Sequence, residues 1–283
     1  MIRFTIPSFC AALLALVAAV PAVAQTSTQT RQALRVDNYG VPFFAGGSTS
    51  QRLDTSMSVS PLSTRRAAVA ENKSSIHLFG ATAEAAAVRM SLSAQRDIIG
   101  FSTTGAPITR NTSLGAFQVR IAGATVLSQT AVNTPVLGTI SGNAFAGVSP
   151  SYQVSLFGIG YSIRGSATAR ADWNLTNTIS FAAGVSVNMS GPLRCRATGS
   201  SSVVLSVLGA SAGVTSTLTY ADTNANLNVS VLPTGAVGGI TWSVALIRLR
   251  MQAWASVLGI LNTQMLFDFN LPAISGTTAL RTL

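Results

Sequence analysis

Between Phe157 and Leu175 the chain reads FGIGYSIRGSATARADWNL, and a two-residue period runs through the whole stretch. The odd positions Phe157, Ile159, Tyr161, Ile163, Gly165, Ala167, Ala169, Ala171, Trp173 and Leu175 are all apolar or glycine. From Ser162 onward the even positions are Ser162, Arg164, Ser166, Thr168, Arg170, Asp172 and Asn174. Successive side chains of a strand point to opposite faces, so this segment builds one dry face and one wet, cationic face. A helix would smear both sets around its circumference. On this parity Ile163 belongs with the core and Ser162 with solvent.

The same period returns along the chain. Ala86, Val88, Met90, Leu92 and Ala94 alternate with Ala87, Arg89, Ser91, Ser93 and Gln95, and Phe117, Val119 and Ile121 alternate with Gln118, Arg120 and Ala122. The segment 178–190 reads as another alternating run. Turn-forming clusters separate the runs at 104–107, 141–143, 149–151, 190–192, 221–224 and 233–235. Roughly 9–12 long strands follow, more than one open sheet holds comfortably. The expected fold is therefore all-β, an antiparallel β-sandwich, with a closed β-barrel as the alternative. Two stretches carry helix-compatible signals: Ala81–Met90 by propensity, and Ser256–Gln264, where the pattern permits a short helix after a strand ending near Ala253.

The organisation expected is in three parts. Residues 1–24 read as a secretory signal peptide, with a basic residue at Arg3, an Ala/Leu/Val core and the small-x-small ending Ala22-Val23-Ala24 before Gln25. Residues 25–64, rich in Ser, Thr, Gln and Gly, read as a flexible or loosely docked N-terminal arm. Residues 65–283 read as a single all-β domain. Removing the leader takes Cys10 with it and leaves Cys195 without an intramolecular partner. That favours an exported bacterial protein over a disulfide-stapled secreted domain.

Charge is sparse and one-sided: 18 Lys plus Arg stand against 8 Asp plus Glu, a net charge of +10, and Lys73 is the only lysine. Arg164 and Arg170, Arg194 and Arg196, and Arg248 and Arg250 all fall on the polar parity of their strands. Neighbours at i, i+2 stand about 7 Å apart on one face. These six arginines are the candidate anion-binding residues. For an exported protein the anions are polysaccharide, lipopolysaccharide or a membrane surface. Nucleic acid is excluded from the expected partners, because the arginines are dispersed and no aromatic-interleaved basic patch accompanies them.

No catalytic constellation is legible. His77 is the sole histidine, and no Gly-x-Ser-x-Gly elbow accompanies it. Cys195 lies between Arg194 and Arg196, which would activate an accessible thiol, but its parity is that of buried Leu193 and Ala197. One histidine and one mature cysteine make no ordinary zinc site. The Asp222, Asn224, Asn226, Asn228 series lacks the glycine and terminal glutamate of a calcium loop and reads as an Asx-rich turn. No cofactor, metal or catalytic residue is expected. The chain is thus read as a non-enzymatic exported cell-envelope or surface β protein of the periplasm, cell surface or extracellular space, with a structural, self-assembling or anionic-ligand-binding role. The alternatives are an outer-membrane β-barrel acting in pore formation or transport, and a hydrolase using paired carboxylates on a β-sandwich.

Overall fold

The computed structural model describes residues 26–41, 45–78, 81–133, 138–149, 151–156, 159–207, 209–245 and 248–282. The expected leader, residues 1–24, lies outside them, as do Phe157 and Gly158. Within the described residues the period-two segments are strands and no helix occurs. One sheet contains β1 (Ser27–Val41), β2 (Ala45–Val59), β3 (Ser63–Leu78), β4 (Ala81–Phe101), β5 (Pro107–Ile121) and β6 (Ala124–Val132) as consecutive hairpins, with β16 (Arg281–Thr282) beside β1. The second contains β7 (Gly138–Val148), β8 (Ser151–Leu156), β9 (Ile159–Ser180), β10 (Ser186–Val207), β11 (Ala210–Leu232), β12 (Gly235–Ala245), β13 (Arg248–Val257), β14 (Ile260–Asn270) and β15 (Ile274–Ala279). Every pairing is antiparallel. The fold is an antiparallel β-sandwich with one curled sheet, as the parity argument requires.

The core is the dry parity of both sheets. Val88, Met90, Leu92, Phe117 and Val119 face Ala171, Trp173, Leu175, Leu193, Leu227 and Val229, all buried. Phe117 and Trp173 meet at 5.3 Å between ring centroids. A buried polar contact ties the layers together: Asn72 of β3 donates from Nδ2 to the Leu193 carbonyl at 2.7 Å, and its Oδ1 accepts from Thr223 Oγ1 at 3.1 Å. Satisfied in this way, the amide fixes the relative position of the sheets.

The three long strands do two jobs. The C-terminal half of β9, the N-terminal half of β10 and the C-terminal half of β11 lie under the first sheet with β7, β12 and β15. Their other halves continue past it, flanked by β8, β13 and β14, as a single layer we call the wing. The covering sheet stops near Ile76, Ala85 and Ala122. Together with Ala167, Gly199, Leu218 and Leu249 these residues line an apolar cleft of about 740 Å³ at the root of the wing.

Several expectations differ from the structure. Sixteen strands occur among the described residues: the eleven long strands β3–β7 and β9–β14 match the 9–12 expected, and β1 and β2 of the expected arm and the short β8, β15 and β16 are additional. Residues 27–59 are no loose arm: β1 and β2 pair along their whole length, and Leu53 is fully buried. Gln51, Thr49 and Thr55 are buried there beside Ala33 and Leu53 while Leu34 and Val36 project outward, so a polar composition conceals a strand. The 178–190 run is a hairpin with its bend at 181–185, not one strand. Ser256–Gln264 is not helical. It is the end of β13, a turn at Leu258–Gly259 and the start of β14. The 221–224 cluster lies inside β11, where the register slips opposite Ala197 and Thr198, and Asn224, Asn226 and Asn228 project from the strand between buried Ala225, Leu227 and Val229. The 141–143 and 190–192 clusters also sit within strands, β7 and β10. In β10, Gly191 adopts φ +124° where a side chain would strike the Asn174 carbonyl.

Candidate functional site: the wing of the second sheet

The wing has two unlike faces. Cross-strand rows on the outer face read Arg164–Ser202–Thr215–Gln252, then Ser166–Ser200–Thr217–Arg250–Asp268, then Thr168–Thr198–Thr219–Arg248–Asn270. Hydroxyls bridge neighbouring strands, as between Ser166 and Ser200 at 2.7 Å. On the opposite face lie Ile159, Ile163, Val203, Leu205, Val214 and Val257. That face continues the sandwich core, yet all six side chains are exposed because no sheet stands over them. Phe267 and Phe269 of β14 stack at 6.3 Å on this same face. A sheet normally buries its apolar face against a second layer, and here half of one sheet lacks that layer.

All six candidate arginines fall on the outer face, and four of them are ion-paired with three carboxylates. Arg170 holds Asp172 at 2.6 Å, Arg194 and Arg196 share Asp222 at 2.5 and 2.8 Å, and Arg248 holds Asp268 at 3.0 Å. Burial alone would raise the Asp222 pKa, but hydrogen bonds from the two guanidiniums outweigh it and hold the carboxyl below its ordinary value. The hydrogen bond to Asp222 likewise raises Arg194 above the usual arginine range. Arg164 and Arg250 make no hydrogen bond or ion pair among the described residues. They stand about 16 Å apart, three strands over and two residues along. Arg250, however, stands directly across from Asp268 and helps Arg248 hold that carboxyl below its ordinary pKa, so of the six Arg164 is the one with no carboxylate as a cross-strand neighbour among the described residues.

The chemistry looked for in the sequence is arranged structurally. Cys195 is fully buried and donates to the Asn72 carbonyl, and burial pushes its thiol pKa up. Its flanking arginines lie on the other face of β10, because strand neighbours point in opposite directions. Asp37, Asp54, Glu84, Asp97, Asp172, Asp222 and Asp268 each bind a cation. Among the described residues no group of His, Cys, Asp and Glu is placed to hold a metal. His77 pairs through its backbone with Gly46.

One feature escaped sequence reading although it was legible. SLFGI at 155–159, SVLGA at 206–210 and SVLGI at 256–260 repeat one short pattern about every 50 residues. Strand ends paired as Leu156↔Ile159, Val207↔Ala210 and Val257↔Ile260 set all three connections at the same end of the wing. The segments around them carry no charge: none occurs between Arg120 and Arg164, between Arg196 and Asp222, or between Arg250 and Asp268. Comparison with known proteins gives no further guide, for no protein-family model and no curated protein matches the chain.

Proposed function

We propose that this chain is a non-enzymatic, exported bacterial β protein of the cell envelope, in which the sandwich is the body and the wing is the contact surface. One observation carries the reading: the apolar face of the second sheet continues about ten residues, roughly 33 Å, beyond the sheet that covers it. An uncovered face of that extent, opposite a hydroxyl and arginine face, is a surface for contact. The engagement of most carboxylates in ion pairs favours a binding or structural role over paired-acid hydrolysis.

Fractionation of the producing cell, with carbonate washing and detergent extraction, tests this reading. We expect the protein in the envelope or outside the cell, with Gln25 as its first residue. Recovery in the cytoplasm with Met1 retained would overturn it.

A further inference from the structure

We propose that the free end of the wing enters a lipid bilayer, its Leu258–Gly259 turn dipping into the hydrocarbon edge of one leaflet while Arg164, and behind it Arg250, meet anionic headgroups. The inference rests on the wing being the contact surface and adds what that surface contacts.

The turn between β13 and β14 is the first ground. Leu258 adopts φ +50° and Gly259 φ +86°, a two-residue hairpin turn whose first position ordinarily carries Asn, Asp or Gly. Leucine there is strained by its backbone, and its side chain is 85% exposed. In water asparagine would serve better on both counts. An apolar medium at the turn reverses the preference. In the sequence, an apolar residue also precedes glycine at Phe157-Gly158 and Leu208-Gly209, where strand ends paired in the same row are joined.

Depth is the second ground. From the Val257–Ile260 row to the row of Arg164 and Gln252 is five residues, about 17 Å, with no charged side chain between. That is a little over half of the roughly 30 Å hydrocarbon thickness, so the end of the wing enters without desolvating an ion. Trp254, on the outer face about 10 Å from the turn row, falls where tryptophan favours the membrane interface. Arg164 is the first ionic group met beyond it, with Arg250 two residues further on in the row that also holds Asp268, and a guanidinium matches phosphate in a bidentate fashion. The outward backbone groups of β14, an edge strand among the described residues, pair with no other described strand, and hydrocarbon would penalise them, so a single copy enters shallowly rather than crossing.

Flotation of the exported protein with phosphatidylglycerol/phosphatidylethanolamine vesicles, alongside tryptophan quenching by brominated acyl chains, provides the test. We expect binding and quenching. Trp254→Phe should remove most of the quenching, since Trp173 and Trp242 are buried in the sandwich. Leu258→Asn, which suits the turn and preserves folding, should weaken partitioning about tenfold. Arg164→Ala with Arg250→Ala should weaken binding to anionic vesicles and flatten its salt dependence. Failure to float, or flotation without quenching and indifferent to Leu258→Asn, would overturn the insertion. So would a lipid-independent dimer that shields Trp254, since a second copy would then cover the wing. A protein located in the envelope yet inert toward pure lipid overturns this inference while leaving the proposed function standing.

Discussion

Ile163 and Leu175 share one strand and one parity, and only their distance along β9 separates them. Leu175 is fully buried beneath the first sheet, whereas Ile163 is 40% exposed on the wing. Parity alone would place both in the core. In the isolated protein, Leu175→Ala should cost about 2–5 kcal/mol through lost burial and the cavity it leaves. Ile163→Asp should stay within about 0.5 kcal/mol, as a surface substitution does. Urea denaturation of the two variants measures the contrast. A large loss at Ile163 would show that its face is covered in solution.

At the level of elements, β10 and β11 are joined on their outer face by Arg194, Arg196 and Asp222, while the Arg170–Asp172 pair lies along β9. Asp222 is the acceptor shared by both arginines of β10 and is mostly shielded from solvent. Because its folded pKa lies below the unfolded value of about 3.9, its contribution is present above that pH and is lost as pH falls through the folded value. Asp222→Asn should therefore destabilise the protein at pH 7 by about 1–3 kcal/mol. The difference from the parent should shrink below about pH 4 as the native carboxyl protonates. Denaturation at both pH values checks this, and a pH-independent difference would mean that Asp222 acts through packing alone.

Across the whole molecule, stability is unevenly distributed along the same three strands. Residues 171–179, 187–195 and 223–231 lie between two layers, whereas 159–167, 199–207 and 211–217 have one layer and no core. Hydrogen-exchange mass spectrometry should divide each strand accordingly, with the sandwich halves exchanging through global unfolding and the wing halves through a cheaper local opening. Lipid vesicles should slow exchange in the wing and leave the sandwich unchanged. Uniform protection without lipid would point instead to a wing covered by another copy.

The sequence by itself determined the all-β class, the face of each strand that is apolar, and the burial of Cys195, because side-chain alternation is a property of the extended chain and needs no partner. It also held the recurring turn pattern, legible as a repeat of five residues. What it left undecided was cover. The alternation in 159–169 is as clean as that in 171–179, yet only the second lies beneath another sheet, since cover depends on where β3, β4 and β5 end in space. Asx-rich clusters likewise became strands, because cross-strand pairing by β10 and β12 outweighed their local turn preference. Three of the six arginines found carboxylates only through tertiary pairing, as register brings β11 beside β10 and β14 beside β13, whereas the Arg170–Asp172 pair at i, i+2 on one strand face was legible in the sequence. Tertiary pairing thus left Arg164 without a carboxylate beside it among the described residues, and it gathered three pairs of strand ends, some 50 residues apart in sequence, at one end of one sheet.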